Sequence, residues 1–279
     1  MISLRSLLLE VYGGPKAIIL AGGAGVGKST FTNTLTPFLP SNFKIFNPDT
    51  HNPDDDPNRP NIAKNSADIR KNAIPDAIKN KQSFVYDTTG QNFKETVKII
   101  QEAQQAGFKV MMIMLYASPI VSFLRNFSRD RTLPKDAVLN NWAKVYGLID
   151  NYKKVPNLEF ALVQTELKPN EREDVAEFNK AYSENELEEY FKQLIQTDPS
   201  KYYSSFRKPK PSDIETADDL PDPEEVKAKE ERKKESEKRF SDAIKNLKDQ
   251  FKQVEKYLKI IKPMDYKEVV GTVKTFTKP

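Results

Sequence analysis

The chain has 279 residues, 38% of them hydrophobic and 30% charged, and its 44 basic against 40 acidic side chains leave a net charge of +4. It contains no cysteine and one histidine, His51, which excludes a disulfide framework, thiolate or multi-histidine metal sites and a cysteine nucleophile. The near balance of charge gives no reason to expect non-specific duplex binding, and the apolar runs are too short to cross a bilayer.

Residues 1–14 suggest a short amphipathic leader (Ile2, Leu4, Leu7, Leu8) without the features of a secretory signal, so a soluble, cytoplasmic protein is expected. Over 15–165, short β-like runs alternate with helical patterns. The runs are Ala17–Ala21, Phe43–Phe46, Ser83–Tyr86, Lys109–Tyr116 and Leu158–Val163. Between them, Lys28–Phe38, Asn61–Asn80, Phe93–Ala106, Ile120–Asn126 and Lys135–Asn151 read as helices. Such alternation predicts an α/β domain: a mostly parallel five-stranded sheet flanked by helices, with right-handed crossovers.

Residues 166–206 read as a helical extension of that domain, and 207–223, with four prolines and no apolar periodicity, as a linker. Residues 224–279 hold one long charged helix and a C-terminal tail. Its first half has no apolar stripe. In its second half Phe240, Ile244, Leu247, Phe251, Val254, Leu258 and Ile261 step by four and three, a coiled-coil-like seam. That stripe must pack on something. The solvated half and the linker favour a projecting arm that self-associates or docks a protein partner through 240–261; the alternative is a fold-back onto the domain.

Only ten glycines are present, and Gly22, Gly23, Gly25 and Gly27 fall within six residues. With Ala24, Val26, Lys28 and Ser29 they satisfy G-x-x-x-x-G-K-[ST], and Thr30 follows. The run KAIILA before it and STFTNTL after it supply the strand–loop–helix setting the motif needs. Glycines let backbone N–H groups turn toward phosphate oxygens, and the next helix aims its positive end at them. Lys28 should reach the β- and γ-phosphates of ATP, and the Ser29 hydroxyl should ligate Mg²⁺.

Two acids follow apolar runs. Asp49, after FKIF, sits where a parallel sheet presents its carboxyl edge, placed to accept the proton of an attacking hydroxyl; the plainer reading is a turn residue after Pro48. Asp87, after Ser83–Tyr86, should hold Mg²⁺ or position substrate, against the alternative that it caps the helix near Phe93. Arg125, Arg129 and Arg131 lie within seven residues, and guanidinium groups neutralise charge on a transferring phosphoryl group. His51 reads as a solvated loop residue, and Trp142 with Tyr146 as core.

Together these features resemble the phage polynucleotide kinase and zeta-toxin group of P-loop kinases. The segments VYDTTGQN and RNFSRDRTLPKDAVLNNW are similar to the polynucleotide kinase pattern, and the resemblance spans residues 16–155. It implies Asp49 as general base, Lys28 and Ser29 on phosphates and Mg²⁺, Asp87 in substrate or metal positioning, Arg129 as lid arginine with Arg131 its nearest competitor, and Arg125 beside the nucleotide. The chain departs from the family at Asn52, where an arginine usually stands three residues after the base, and the Asp54–Asp56 run would repel a polyanionic strand.

The expected activity is ATP-dependent transfer of the γ-phosphate to a hydroxyl of a nucleotide, a polynucleotide 5′ end or a nucleotide-sugar. The competing expectation is a phage structural or assembly protein that keeps the ATP-binding domain and oligomerises through its C-terminal helix.

Overall fold

The computed structural model describes residues 14–52, 61–127, 133–196, 223–261 and 263–278. The expected leader before Gly14, the linker before Pro223, and Arg129 and Arg131 lie outside the described residues.

Five parallel strands form one sheet in the order β2-β3-β1-β4-β5: β1 (Lys16–Ala21), β2 (Lys44–Phe46), β3 (Phe84–Asp87), β4 (Lys109–Tyr116) and β5 (Leu158–Gln164). The central strand β1 is buried along its whole length and reads KAIILA. An unbroken apolar run of this kind is what a parallel strand covered on both faces requires. At the edge, β2 exposes Lys44 and Ile45 and buries only Phe46, and its lysine discourages pairing with another chain.

Helices α1 (Lys28–Leu35), α2 (Ile62–Asp68), α3 (Ile74–Lys79), α4 (Phe93–Gln105), α5 (Pro119–Phe127), α6 (Lys135–Tyr146) and α7 (Ile149–Lys153) fill the connections. A π-helical turn, Ile69–Ala73, joins α2 to α3. The Asn92 side chain accepts from Glu95 N–H at 3.3 Å and caps α4, so Asp87 is not that helix's cap. The single helix expected over Lys135–Asn151 is divided after Tyr146, and another helix passes close to the break: a Cβ on Gly147 would lie 2.6 Å from Gln250 Oε1.

Beyond β5 come α8 (Pro169–Ser183), α9 (Leu187–Gln196), α10 (Pro223–Ile261) and α11 (Tyr266–Thr277). Residues 230–239 of α10 are exposed, as their lack of an apolar face predicts. The seam corrects the expectation of a projecting arm. Ile244, Leu247, Phe251 and Val254 are buried within this chain. Phe251 meets Trp142, Phe178 and Tyr182 at ring-centroid distances of 5.9, 5.2 and 4.9 Å, and Phe240 packs on Phe123 and Phe191. The physical reason is that a four-three stripe specifies an apolar face, not its partner. Here α6, α8 and α9 supply the complementary surface, and α10 is a bundle helix of the domain rather than a coiled-coil arm.

The chain then returns to the sheet. Met264 bridges Val163, with Gln164 N–H donating to Met264 O at 3.0 Å and Met264 N–H to Leu162 O at 2.9 Å. The expected tail is helix α11, which begins with a reciprocal capping box between Asp265 and Glu268 and buries Val269, Val273 and Phe276. Among the described residues no helix is long and apolar enough to cross a membrane.

Candidate active site

The strand order reverses at β1: the chain moves from it to β2 and β3 on one side, and to β4 and β5 on the other. The crevice outside the carboxyl end of such a strand is where open α/β sheets bind ligands. Gly22–Gly27 occupies it. Gly25 and Gly27 have φ of +78° and +90°, and a Cβ on Gly25 would fall 2.2 Å from the backbone oxygen of Ser122. Only glycine allows the loop to turn there while resting on α5. Asn141 of α6 fixes the other flank, its Oδ1 accepting from Ala24 N–H at 2.9 Å while its Nδ2 donates to Gln91.

Lys28 opens α1 and curls back over the loop, donating from Nζ to Gly22 O at 2.9 Å and Gly23 O at 3.3 Å. These are neutral carbonyl partners, which phosphate oxygens can replace with stronger, charge-assisted bonds. Ser29 and Thr30 are exposed at the helix start, where backbone N–H groups and the helix dipole favour an anion.

One cavity of about 420 Å³ adjoins the loop on the β2–β3 side, lined among others by Lys28, Asp49, Asp87, Thr88 and Arg70. Asp87 ends β3 and is only 5% exposed. Burial raises its pKa to about 6; the Lys28 charge opposes the rise and the Asp49 charge adds to it. The two acids line one cavity. Asp49 lies in the turn after β2: its N–H donates to Asn47 Oδ1 at 2.9 Å, and Thr50 N–H to Asn47 O at 3.1 Å. Asn65 Nδ2 donates to Pro48 O at 2.9 Å and ties this turn to α2. Asp49 is thus a turn residue that also lines the cavity.

Sequence reasoning missed Arg70. It sits in the π-helical turn and pairs with Glu95 Oε2 at 3.3 Å. Ile62, Ser66 and Arg70 recur at four-residue steps and all line the cavity, a helical stripe that could have been read from the sequence. Asn52 does not line this cavity. Asn126 was also passed over. It is buried, donates to Leu133 O and accepts from Leu133 N–H, both at 3.0 Å, and so joins the two ends of the segment that carries Arg129 and Arg131. His51 is not a purely solvated residue: its Nε2 lies 2.6 Å from Asp68 Oδ2.

Arg125 is on the opposite side of the loop. Its guanidinium grips Glu171 with Nε at 2.8 Å and Nη2 at 2.7 Å, and reaches Thr165 Oγ1 and Glu166 O. Burial pushes the Glu171 carboxyl up, but the Arg125 side chain and Lys168 N–H outweigh it and hold the pKa below the usual range. A second cavity of about 430 Å³ lies here, lined by Gly25, Gly27, Thr30 and Arg125 with Thr165–Lys168, Glu171 and Tyr266. Among the described residues, no three acidic or histidine side chains converge as a preformed metal site. This is compatible with Mg²⁺, which is commonly held by one or two protein oxygens together with the substrate's phosphates. Ser29 and Asp87 suit that part chemically.

No curated protein sequence matches the chain. Solved structures similar to it include one from the PezAT chromosomal toxin-antitoxin system of Streptococcus pneumoniae, at 14% identity, covering 61% of this chain and 87% of that one with a TM-score of 0.45. Another is from the AvrRxo1-ORF1:AvrRxo1-ORF2 structure with sulphate ions, at 16% identity, 55% coverage of each chain and a TM-score of 0.39. A third is a gluconokinase from Sinorhizobium meliloti 1021, at 19% identity, covering 64% of this chain and 97% of that one with a TM-score of 0.36. The zeta toxin family model matches residues 8–141, a stretch that holds the glycine loop, both acids and Arg125. Residues 8–141, just under half of the chain, are thus similar to the zeta toxin family, and they include four of the five strands of the parallel sheet with the glycine loop at its carboxyl edge.

Proposed function

We propose that the protein is an ATP-dependent kinase that transfers the γ-phosphate to a hydroxyl of a nucleotide, polynucleotide or nucleotide-sugar. The observation that carries this reading is a single cavity lined by Lys28, Asp49 and Asp87 together. An acceptor hydroxyl in that cavity gives its proton to the Asp49 carboxylate as its oxygen bonds to the γ-phosphorus. The bond from that phosphorus to the β–γ bridging oxygen breaks, and ADP is left in the loop. Lys28 offsets the charge on the β- and γ-oxygens. Mg²⁺, when bound with the nucleotide, neutralises further phosphate charge, with Ser29 and Asp87 as the protein groups to hold it. Arg129, with Arg131 as the alternative, is assigned the charge of the transferring group.

Arg70 supports an acceptor that is itself anionic. Exchange of its Glu95 partner for a substrate phosphate would supply the recognition that Asn52 does not. The assembly-protein reading placed oligomerisation in the C-terminal helix, and of its stripe Ile244, Leu247, Phe251 and Val254 are buried within this chain.

The test is a transfer screen with γ-labelled ATP over 5′-hydroxyl oligonucleotides, nucleosides and UDP-sugars, with Lys28→Ala as the inactive control. Labelling of one class that disappears in the control is the expected result. ATP binding without transfer to any class would overturn the kinase reading.

A further inference from the structure

Two cavities flank the glycine loop, and the acids lie on one side only. The second contains Gly25, Gly27 and Thr30 from the loop and the start of α1, but neither Lys28 nor Asp87. A nucleotide whose terminal phosphate faces Lys28 must direct its nucleoside elsewhere. This second cavity is open to it, and about 430 Å³ falls within the size of ordinary ligand sites. One of its walls is aromatic and comes from the far end of the chain: Tyr266, the first residue of α11.

Tyr266 is held from several directions. Phe31 of α1, itself fully buried, meets it edge-to-face at 5.2 Å and 68°. Two residues earlier, Met264 is hydrogen-bonded into the sheet beside β5, and the intervening Asp265 is fixed by its capping box with Glu268. The phenolic oxygen stands 3.9 Å from where a Cβ on Gly27 would be, beside Arg125 Nη1 at 3.6 Å, so the residue reaches the loop itself. A half-buried aromatic ring that lines the cavity beside the phosphate loop, with Phe31 packed against it, suits the flat face of a base.

We propose that the C-terminal segment is part of the donor site, and that Tyr266 is the aromatic wall against which the base of the donor nucleotide lies. This rests on the kinase reading above and adds to it a binding residue more than a hundred positions beyond the matched family region. It gives the long excursion through α10 a consequence for function: the bundle helix returns the chain to the sheet, and the return completes the nucleotide site.

The experiment measures binding of Mg·ATP and of Mg·tripolyphosphate, which has the phosphates but no nucleoside, to the full chain. Tyr266→Leu keeps apolar bulk against Phe31 and removes the ring face; Tyr266→Phe keeps the face. Tyr266→Leu is expected to weaken ATP about tenfold, within the range of a base–aromatic stack, and to leave tripolyphosphate unchanged. Tyr266→Phe should bind both like the wild type. Equal weakening of both ligands in Tyr266→Leu would make the residue a prop for the loop and overturn the proposal, as would no change in either. A wild-type protein that binds neither ligand would instead overturn the nucleotide-binding reading itself.

Discussion

Asp87 is predicted to be a residue that the fold tolerates rather than favours. Its carboxyl closes β3 in a position 5% exposed, and burial lifts its pKa from 3.8 to about 6 despite the nearby Lys28 charge. Because the folded-state pKa is the higher one, the native state gains stability from this group at low pH and loses it as pH rises through about 6. The loss amounts to about 3 kcal/mol near neutral pH. Asp87→Asn removes the charge at nearly constant shape, so the variant should be about 1–3 kcal/mol more stable than wild type near neutral pH, the lower figure allowing for the amide's own desolvation. That advantage should fade below about pH 4, where both carboxyl states are protonated. Urea denaturation of both proteins at the two pH values measures it, and phosphoryl transfer by the stabilised variant should be severely reduced. A variant less stable than wild type at neutral pH, or a difference that does not change with pH, would refute the argument that burial strains this acid.

Asp49→Asn should lower kcat by roughly 10²–10⁴-fold, the usual contribution of a general base, with ATP affinity unchanged by calorimetry; equal turnover would make Asp49 a turn residue alone. Arg70→Ala should raise the acceptor KM at least about tenfold, as loss of a charge-assisted hydrogen bond does, and leave the Kd for ATP as it was. Leu247→Ala should cost about 2–5 kcal/mol in urea denaturation, because a fully buried leucine leaves a cavity, without altering the mass of the protein by light scattering. A change in oligomeric state at constant stability would restore the seam to a partner.

Much of the fold was legible because its signals are local. KAIILA and KVMMIMLY declare buried parallel strands by continuous apolarity, and the Gly22–Ser29 spacing declares its loop because the backbone there admits few other residues. The placement of Asp49 and Asp87 was legible by position, Asp87 as the last residue of β3 and Asp49 in the turn after β2, since every strand of a parallel sheet ends at the same edge. What was not legible depends on distance in sequence. Nothing near Gly147 announces the close approach of Gln250, or that one expected helix would be two, α6 and α7. The stripe from Phe240 to Leu258 fits a coiled-coil partner or a bundle neighbour equally well, and only the apolar faces of α6, α8 and α9 decide between them. Arg70 was hidden for a related reason: its helical register is clear, but whether that face meets solvent or the cavity is set by how α2 is tied to the turn after β2.

The sheet order also accounts for a division of labour around the loop. Strands β2 and β3 lie on one side of β1, and their carboxyl ends deliver Asp49 and Asp87. Strands β4 and β5 lie on the other, and the segments after them deliver Arg125 and Thr165–Lys168. Lys28 stands between, on the helix that leaves the central strand. Acceptor chemistry and nucleoside binding are therefore separated, on the proposed reading, by the same reversal of strand order that opens the crevice, and changes on one side need not disturb the other. Met264 extends the β5 side by one more bridged residue, and Tyr266 follows where a further strand's carboxyl end would be. A segment added to that edge can reach the nucleoside cavity but not the acids, so an effect of Tyr266 confined to donor binding, with acceptor KM intact, is what the topology requires.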